Sequence, residues 1–450
     1  MSEHLQLLST FVADTAFRQL PPSLIEQAKR HLLDTLGAAL AGCDSDIWRQ
    51  CVALAREEAG NGSAQLWGSA DEVTPRQAAW LNGVAAHMYE LDDTGGCDHS
   101  GAVVVPALLA ALPLAAQPVS GEALLTAMVV GYDVGRRVLE ACGGYEPHNE
   151  AGWHSTATCG VFGAAAAVCS LLRLTPAQCA SALGIAASFS GGLWAFIHDG
   201  SQTKKLHAGR AAESGLQAAL LAGKGITGPG AIFDDRWGGF LRTIAPESQQ
   251  PDALAAGLGE IWKLARCSIK PYASCRGTHS AIDALSNLLT AHPEKKIARV
   301  RVRLNPFLMS MCGGRELASL AAAQMSLPYA LTARWLYHDA GLESYSETRR
   351  LSKEAAAMME RIELEIDETQ GNNDEPVVML ETQQGECWQE HVPVPSGSPA
   401  NPLSDQALFA KYQQLAQRIL PAQACQHIYD LCMHLEHVTD VRELSRSLKR

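Results

Sequence analysis

Alanine and glycine recur at helical spacing through roughly the first 260 residues, and this pattern constrains the fold more than any other feature. Helices built from such small side chains pack at close range. Leu24 to Gly42 has the 3.6-residue period and a closing glycine suited to a C-cap. Thr74-Pro75-Arg76-Gln77 is a capping box with proline at the first helical position, predicting a helix that runs towards Glu90. Thr175-Pro176-Ala177-Gln178 repeats that signal. Further helices are expected over Gly121 to Leu139 and Val161 to Leu172. Ala102 to Ala116, broken by Pro106 and Pro113, reads as buried helix and is too short to span a bilayer.

The texture changes near Trp262. Ile297 to Leu304 and Arg361 to Ile366 alternate apolar and charged residues, as half-buried strands do. Val377 to Leu380 and Glu386 to Val392 read as a hairpin across Gln383-Gln384-Gly385. Helices are expected over Thr278 to Ala291 and Ser352 to Met359, and helical pattern returns from Ser404. The predicted fold class is mainly α with an α+β second domain. Residues 1–265 and 403–450 form the all-helical body, 266–392 an inserted α+β lid, and 393–402 a Pro/Ser/Gly linker.

Composition excludes several functions. A chain of 450 residues that is 47% hydrophobic and 19% charged has material for two or three domains. Lys plus Arg is 36 against 48 Asp plus Glu, and a net charge of −12 argues against nucleic acid as a partner. The N-terminal stretch lacks a signal-peptide pattern, so no membrane partner and a cytoplasmic location are expected. Thirteen scattered cysteines without a C-x-x-C fit free thiols, and no sequence spacing suggests a metal site, an iron–sulfur cluster or an organic cofactor. There is no P-loop, dinucleotide fingerprint, nucleophile elbow or H-E-x-x-H.

Four polar clusters interrupt the apolar pattern. Glu90-Leu91-Asp92-Asp93-Thr94 puts three carboxylates at the expected end of the Thr74 helix, where the macrodipole opposes them, and His99 follows shortly after. His154 stands where a small-residue helix begins, a position that favours neutral imidazole. Lys204, Lys205, His207 and Arg210 open another helix. Lys270, Tyr272, Cys275 and Arg276 lie at the proposed domain boundary. Taken singly, each has a plain alternative: His31 and His87 read as satisfied structural residues, Asp98 as solvated surface and Cys275 as a packed thiol. Taken together, they describe a pocket for a small polycarboxylate, with Lys and Arg holding carboxylates and His or Lys moving a proton.

Leu33-Asp34-Thr35-Leu36-Gly37, Glu90-Leu91-Asp92-Asp93-Thr94, Gly152-Trp153-His154, Thr203 to Gly209 and Lys270-Pro271-Tyr272, in this order, resemble the MmgE/PrpD family. Ser326-Leu327-Pro328-Tyr329 resembles a further motif of its second domain. That family contains 2-methylcitrate dehydratases, cis-aconitate decarboxylases and an iminodisuccinate epimerase. The resemblance implies a helical domain with an α+β lid, a homodimer, and activity without metal or organic cofactor. It places the decarboxylase-branch site on Glu90, Thr94, His99, His154, Lys204, Lys270, Cys275 and Tyr329. That branch has Asp at Glu90 and His at Cys275, and its loop between Gly95 and His99 is about two residues longer; a Cys in the fourth segment is closer to the epimerase branch.

The expected function is therefore a cofactor-independent lyase or isomerase that moves a proton next to a carboxylate, by dehydration or epimerisation. Decarboxylation and a catalytically silent binding protein are the alternatives. His154, Lys204, Lys270, His99, Tyr329 and Cys275 are the expected catalytic set. Glu90, Asp93, Thr94, Lys205, His207, Arg210 and Arg276 are the expected substrate-binding set, with Asp92 and Asp93 read as loop-holding or histidine-orienting. Trp153, Trp194 and Phe196 are candidates for an apolar subsite.

Overall fold

The computed structural model describes residues 2–58 and 62–450 and is mainly α-helical, with a separate α+β region. Both capping boxes form: Thr74 and Thr175 accept from the backbone N–H of Gln77 and Gln178, whose side chains return to the cap backbone. They open the helices Pro75–Ala86 and Pro176–Phe189. Around them pack Pro22–Gly42, Ser100–Ala111, Gly121–Ala141, Gly160–Leu171 and Thr203–Gly223. One large core unites residues from Leu5 to Ile269 with Leu408 to Leu448, so the last helices return to the body where the chain began.

Small residues let these helices approach backbone to backbone. A Cβ on Gly83 would lie 2.6 Å from the Gly209 Cα, and one on Gly209 would lie 2.2 Å from the Trp80 carbonyl oxygen. The helices Pro75–Ala86 and Thr203–Gly223 therefore touch along their main chains, which fixes the spacing of the polar groups at their ends. Gly42 has the same role and is not the C-cap its position suggested. It is the last helical residue, Cys43 caps in right-handed geometry, and a Cβ at Gly42 would strike the Ala85 carbonyl at 2.0 Å.

Two further expectations need correction. The Thr74 helix stops at Ala86, and Glu90 lies beyond it in a loop with a left-handed backbone, φ 56°. The first 260 residues are also less uniformly helical than their composition implies. Residues 224–270 form turns and short 3-10 segments around one five-residue helix, Phe240–Ile244, because glycines 225, 228, 230, 238, 239, 257 and 259 interrupt the pattern.

The α+β region carries a four-stranded sheet in the order Ile362–Ile366, Ile297–Leu304, Val377–Thr382, Cys387–His391. The first pair is parallel, with Val302 opposite Leu364; the others are antiparallel, with Val302 opposite Val378 and Leu380 opposite Trp388. His279–Ala291 and Leu327–Tyr337 cover the inner face, burying Val300, Val302 and Leu380. The outer face of Ile297–Leu304 pairs its arginines with acids of both neighbours, such as Arg299 with Glu381 at 2.9 Å. Among the described residues no helix is long and apolar enough to cross a membrane.

Candidate active site

The loop 87–99 links the helices Pro75–Ala86 and Ser100–Ala111, and it is held from four directions. The Glu90 carboxylate receives Lys204 at 2.9 Å and Lys205 at 2.8 Å, both from the first turn of Thr203–Gly223. Lys270 donates to the Glu90 carbonyl at 3.0 Å and lies 3.6 Å from its carboxylate. Gln324 donates to the Tyr89 carbonyl at 2.6 Å, and Lys411 of the C-terminal helix Asp405–Ala416 donates to the Leu91 carbonyl at 2.7 Å. A left-handed non-glycine residue costs about 1–3 kcal/mol, so Glu90 keeps this backbone because its surroundings over-determine it.

Burial alone would raise the Glu90 carboxyl, but Lys204, Lys205, His87 and Lys270 hold it well below the usual range. Asp92 is likewise opposed by burial and taken well below by His87 and His99. Its carboxylate meets Nδ1 of His87 at 3.0 Å and Nδ1 of His99 at 3.1 Å. Asp93 accepts from the Tyr132 hydroxyl at 2.6 Å and the Gly101 N–H at 2.9 Å, and pairs with His31 at 2.8 Å. It holds the loop and does not face the cavity. Thr94 joins Ser268 in an isolated antiparallel bridge, and its hydroxyl donates to Asp98 at 3.1 Å.

The four imidazoles differ in environment. His87 is pushed down to about 4 by burial, and His207 also to about 4 by burial with His87 and Lys204 adding to it. His154 falls well below the ordinary value through burial, Lys204 and His207. His99 is opposed by burial yet held above the ordinary value by the Asp98 and Asp92 carboxylates. His154 precedes the short helix Ser155–Thr158, packs edge-on to Trp194, and sets its Nδ1 2.8 Å from Nδ1 of His207. One neutral ring thus stands beside one that favours its charged form, the arrangement an acid–base pair needs.

A cavity of about 260 Å³ opens in front of these groups. Glu90, Thr94, His99, Lys204, Lys270 and Cys275 line it, with Arg276 and Trp194 at its margin. The Cys275 thiol is lowered by the S–H of Cys312, against burial, with Lys204 and Lys270 adding to the effect. A concave, partly apolar space with converging cations suits a small anion.

The sequence profile of the MmgE/PrpD N-terminal domain matches residues 6–251, and that of the MmgE/PrpD C-terminal domain matches residues 272–435. The chain belongs to the MmgE/PrpD family. It is 30% identical to a cis-aconitate decarboxylase-like protein of Aspergillus oryzae, over 97% of this chain and 95% of that one. It is 28% identical to cis-aconitate decarboxylase of Aspergillus terreus, over 96% and 93%, and 27% identical to the human enzyme of that name, over 96% and 91%.

Not every expected residue of this MmgE/PrpD chain meets at the cavity. Lys205 borders an adjoining hollow that shares Glu90 and Lys204 and is closed by Phe196. His154 is fully enclosed, one carboxylate behind the cavity, with Nε2 3.7 Å from Asp98. His207 lies behind it. Tyr329 is not a donor to the cavity: it is fully buried, packs on Tyr345, and gives its hydroxyl to the Ser344 carbonyl at 2.5 Å. Arg210 points away on an exposed face and pairs with Glu213 at 2.7 Å, because six residues past Lys204 the helix has turned its side chain out of the site.

Two residues read as ordinary from sequence, and a third that the sequence reading passed over, belong to the site or its surroundings. Asp98 is not solvated surface; it is 7% exposed, has φ 103°, and faces both His99 and His154. His87 packs against His99 with ring centres 4.3 Å apart and planes tilted by 51°. Arg136 lines the cavity from Gly121–Ala141, where the Arg136-Arg137 pair inside an apolar helix was the available signal.

Proposed function

We propose that this chain is a lyase or isomerase of small di- or tricarboxylic acids that works by moving a proton at a carbon next to a carboxylate. The observation carrying this reading is the meeting, at one cavity, of Lys204, Lys270 and Arg276 with His99, which His154 backs across the Asp98 carboxylate. The cations hold substrate carboxylates and stabilise the enediolate-like charge that forms when an α-proton leaves. His99 faces the substrate. His154, neutral and in contact with Asp98, exchanges the proton from behind. A bound polyanion raises the proton affinity of both rings, so proton uptake strengthens when substrate arrives. Cys275, also on the cavity wall, is a second proton carrier, which favours epimerisation or dehydration.

A decarboxylation of the cis-aconitate kind is the second reading, favoured by the full-length similarity to cis-aconitate decarboxylases. It uses the same parts: a carbon–carbon bond breaks, carbon dioxide leaves, and a ring N–H delivers a proton to the carbanion. We also propose a homodimer, tested by light scattering at micromolar concentration. The deciding experiment is NMR of the protein with a panel of di- and tricarboxylates in deuterium oxide. Loss of an α-proton signal, alkene formation or carbon dioxide release each identifies one chemistry. No change with any acid would reject the proton-transfer reading in favour of a binding protein.

A further inference from the structure

Three imidazoles converge at the inner wall of the cavity, His99 on its lining and His87 and His154 behind it. His87, His99 and His154 each offer one ring nitrogen, and the three nitrogens lie within 4.8 Å of one another. All three residues are buried, and among the described residues Nε2 of both His87 and His154 has no hydrogen-bond partner. Unsatisfied ring nitrogens in such a place are unusual and call for a ligand.

The far side of each ring is held. Asp92 takes Nδ1 of His87 at 3.0 Å and Nδ1 of His99 at 3.1 Å, and His99 also meets the Asp93 carbonyl at 3.0 Å. Nδ1 of His154 meets His207 at 2.8 Å. Histidines that bind metals are oriented in this way, with the remote nitrogen on a carboxylate, carbonyl or other acceptor. A fourth donor is at hand: Asp98 Oδ2 lies 3.6 Å from Nε2 of His99 and 3.7 Å from Nε2 of His154. Three imidazoles, with the Asp98 carboxylate beside two of them, make a nitrogen-rich donor set, which suits zinc and its neighbours rather than magnesium or calcium.

We propose that His87, His99 and His154, with Asp98 alongside, form a site for a divalent transition-metal ion of the zinc class, and that the ion inhibits the enzyme by occupying the ring lone pairs that proton transfer requires. The inhibitory half rests on the proton-transfer reading above; the binding half does not. Lys204 and Lys270 nearby oppose a resident cation, so the ion binds reversibly and competes with the protonated state of the site. Tetrahedral zinc places its nitrogen ligands about 3.3 Å apart, so the cluster closes around the ion.

The test uses the full chain after dialysis against a chelator, titrated with Co²⁺ and then Zn²⁺. One equivalent of Co²⁺ should bind and give visible d–d bands of a tetrahedral nitrogen and oxygen site. It should give no sulfur-to-cobalt charge-transfer band, which would instead mark the enclosed cluster of Cys142, His148 and Cys159. Zn²⁺ should displace Co²⁺ and abolish the bands. His87→Gln should weaken binding at least tenfold, and His154→Gln provides the same comparison if His87→Gln does not fold. Zn²⁺ should inhibit turnover at the concentration at which it binds, with full recovery on chelation. Absence of binding up to millimolar metal, a charge-transfer band, or unchanged affinity in the folded variant would overturn the site. Activity that depends on added zinc would overturn the inhibition. A chelated protein that turns over no polycarboxylate would remove the proton-transfer reading and the inhibition with it, while the cobalt spectrum still decides the site.

Discussion

Nδ1 of His154 and Nδ1 of His207 face each other at 2.8 Å, so a single hydrogen shared between them sets the tautomer of both rings. His207→Gln keeps a group able to donate towards His154, whereas His207→Leu removes it. Turnover should fall by about tenfold or more in His207→Leu and stay closer to wild type in His207→Gln. Equal activity in the two variants would show that the contact only packs the rings.

For His99→Gln and His154→Gln, turnover should fall by about 10²–10⁴-fold with the melting temperature little changed, the loss usual for a group that moves protons. Lys204→Met should weaken binding of a di- or tricarboxylate by about 1.5–3 kcal/mol, measured calorimetrically. Lys205 and Lys270 still neutralise Glu90 in that variant, so its fold should survive.

Glu90→Gln leaves three buried ammonium groups facing a neutral amide. At pH 7 the loss of stability should be about 3–5 kcal/mol, the cost of breaking a buried ion pair from one side. The Glu90 carboxyl is held below its ordinary value of 4.5 in the folded chain, so its contribution is present above that pH and disappears as pH falls below it. Urea unfolding should therefore show a gap between wild type and variant that narrows on acidification. A gap that is constant from pH 7 to 4 would contradict this.

Cys275 should be alkylated by iodoacetamide with a pH midpoint below the usual thiol value of about 8.5, followed residue by residue with mass spectrometry. Exposed Cys387 is the internal reference. A polycarboxylate that binds in the cavity should protect Cys275 and leave Cys387 unaffected. A Cys275 midpoint at or above that of Cys387 would contradict the effect of Cys312 and the lysines.

Gly209→Ala forces a methyl group to within 2.2 Å of the Trp80 carbonyl, and overpacking of this kind costs about 1–3 kcal/mol. Gly223→Ala, on the same helix, meets nothing nearer than Leu174 at 3.6 Å and should be neutral or slightly stabilising. Thermal melts of the two variants compare a tight crossing with an open one.

What the sequence makes legible is what neighbours along the chain decide. Thr74 and Thr175 open their helices through partners three residues away, and the alternation at Ile297 to Leu304 specifies a strand with one buried face. Lys204 and Lys270 were readable as candidate site residues because they stand in polar clusters within segments that resemble family motifs, and lysines so placed need a charged partner. Glu90 as that partner, with its left-handed backbone, was not readable, since four distant segments hold it there. Asp98 and His87 looked ordinary for the same reason: burial is decided by what packs on top. Tyr329 misled because a motif fixes a residue's place in the chain but not which way its hydroxyl points.

The hydrogen bond from Lys411 to the Leu91 carbonyl ties the order of synthesis to the competence of the site. The segment bearing Glu90, Asp92 and His99 is made early, yet one of its fasteners emerges only after the whole α+β region has been translated. The nascent body must wait with four buried-to-be carboxylates unsecured, and long-range closure of this kind slows folding and prolongs exposure of unfinished surface. A chain cut off after the α+β region would contain every residue of the cavity and still lack the fastener that holds its central loop in register.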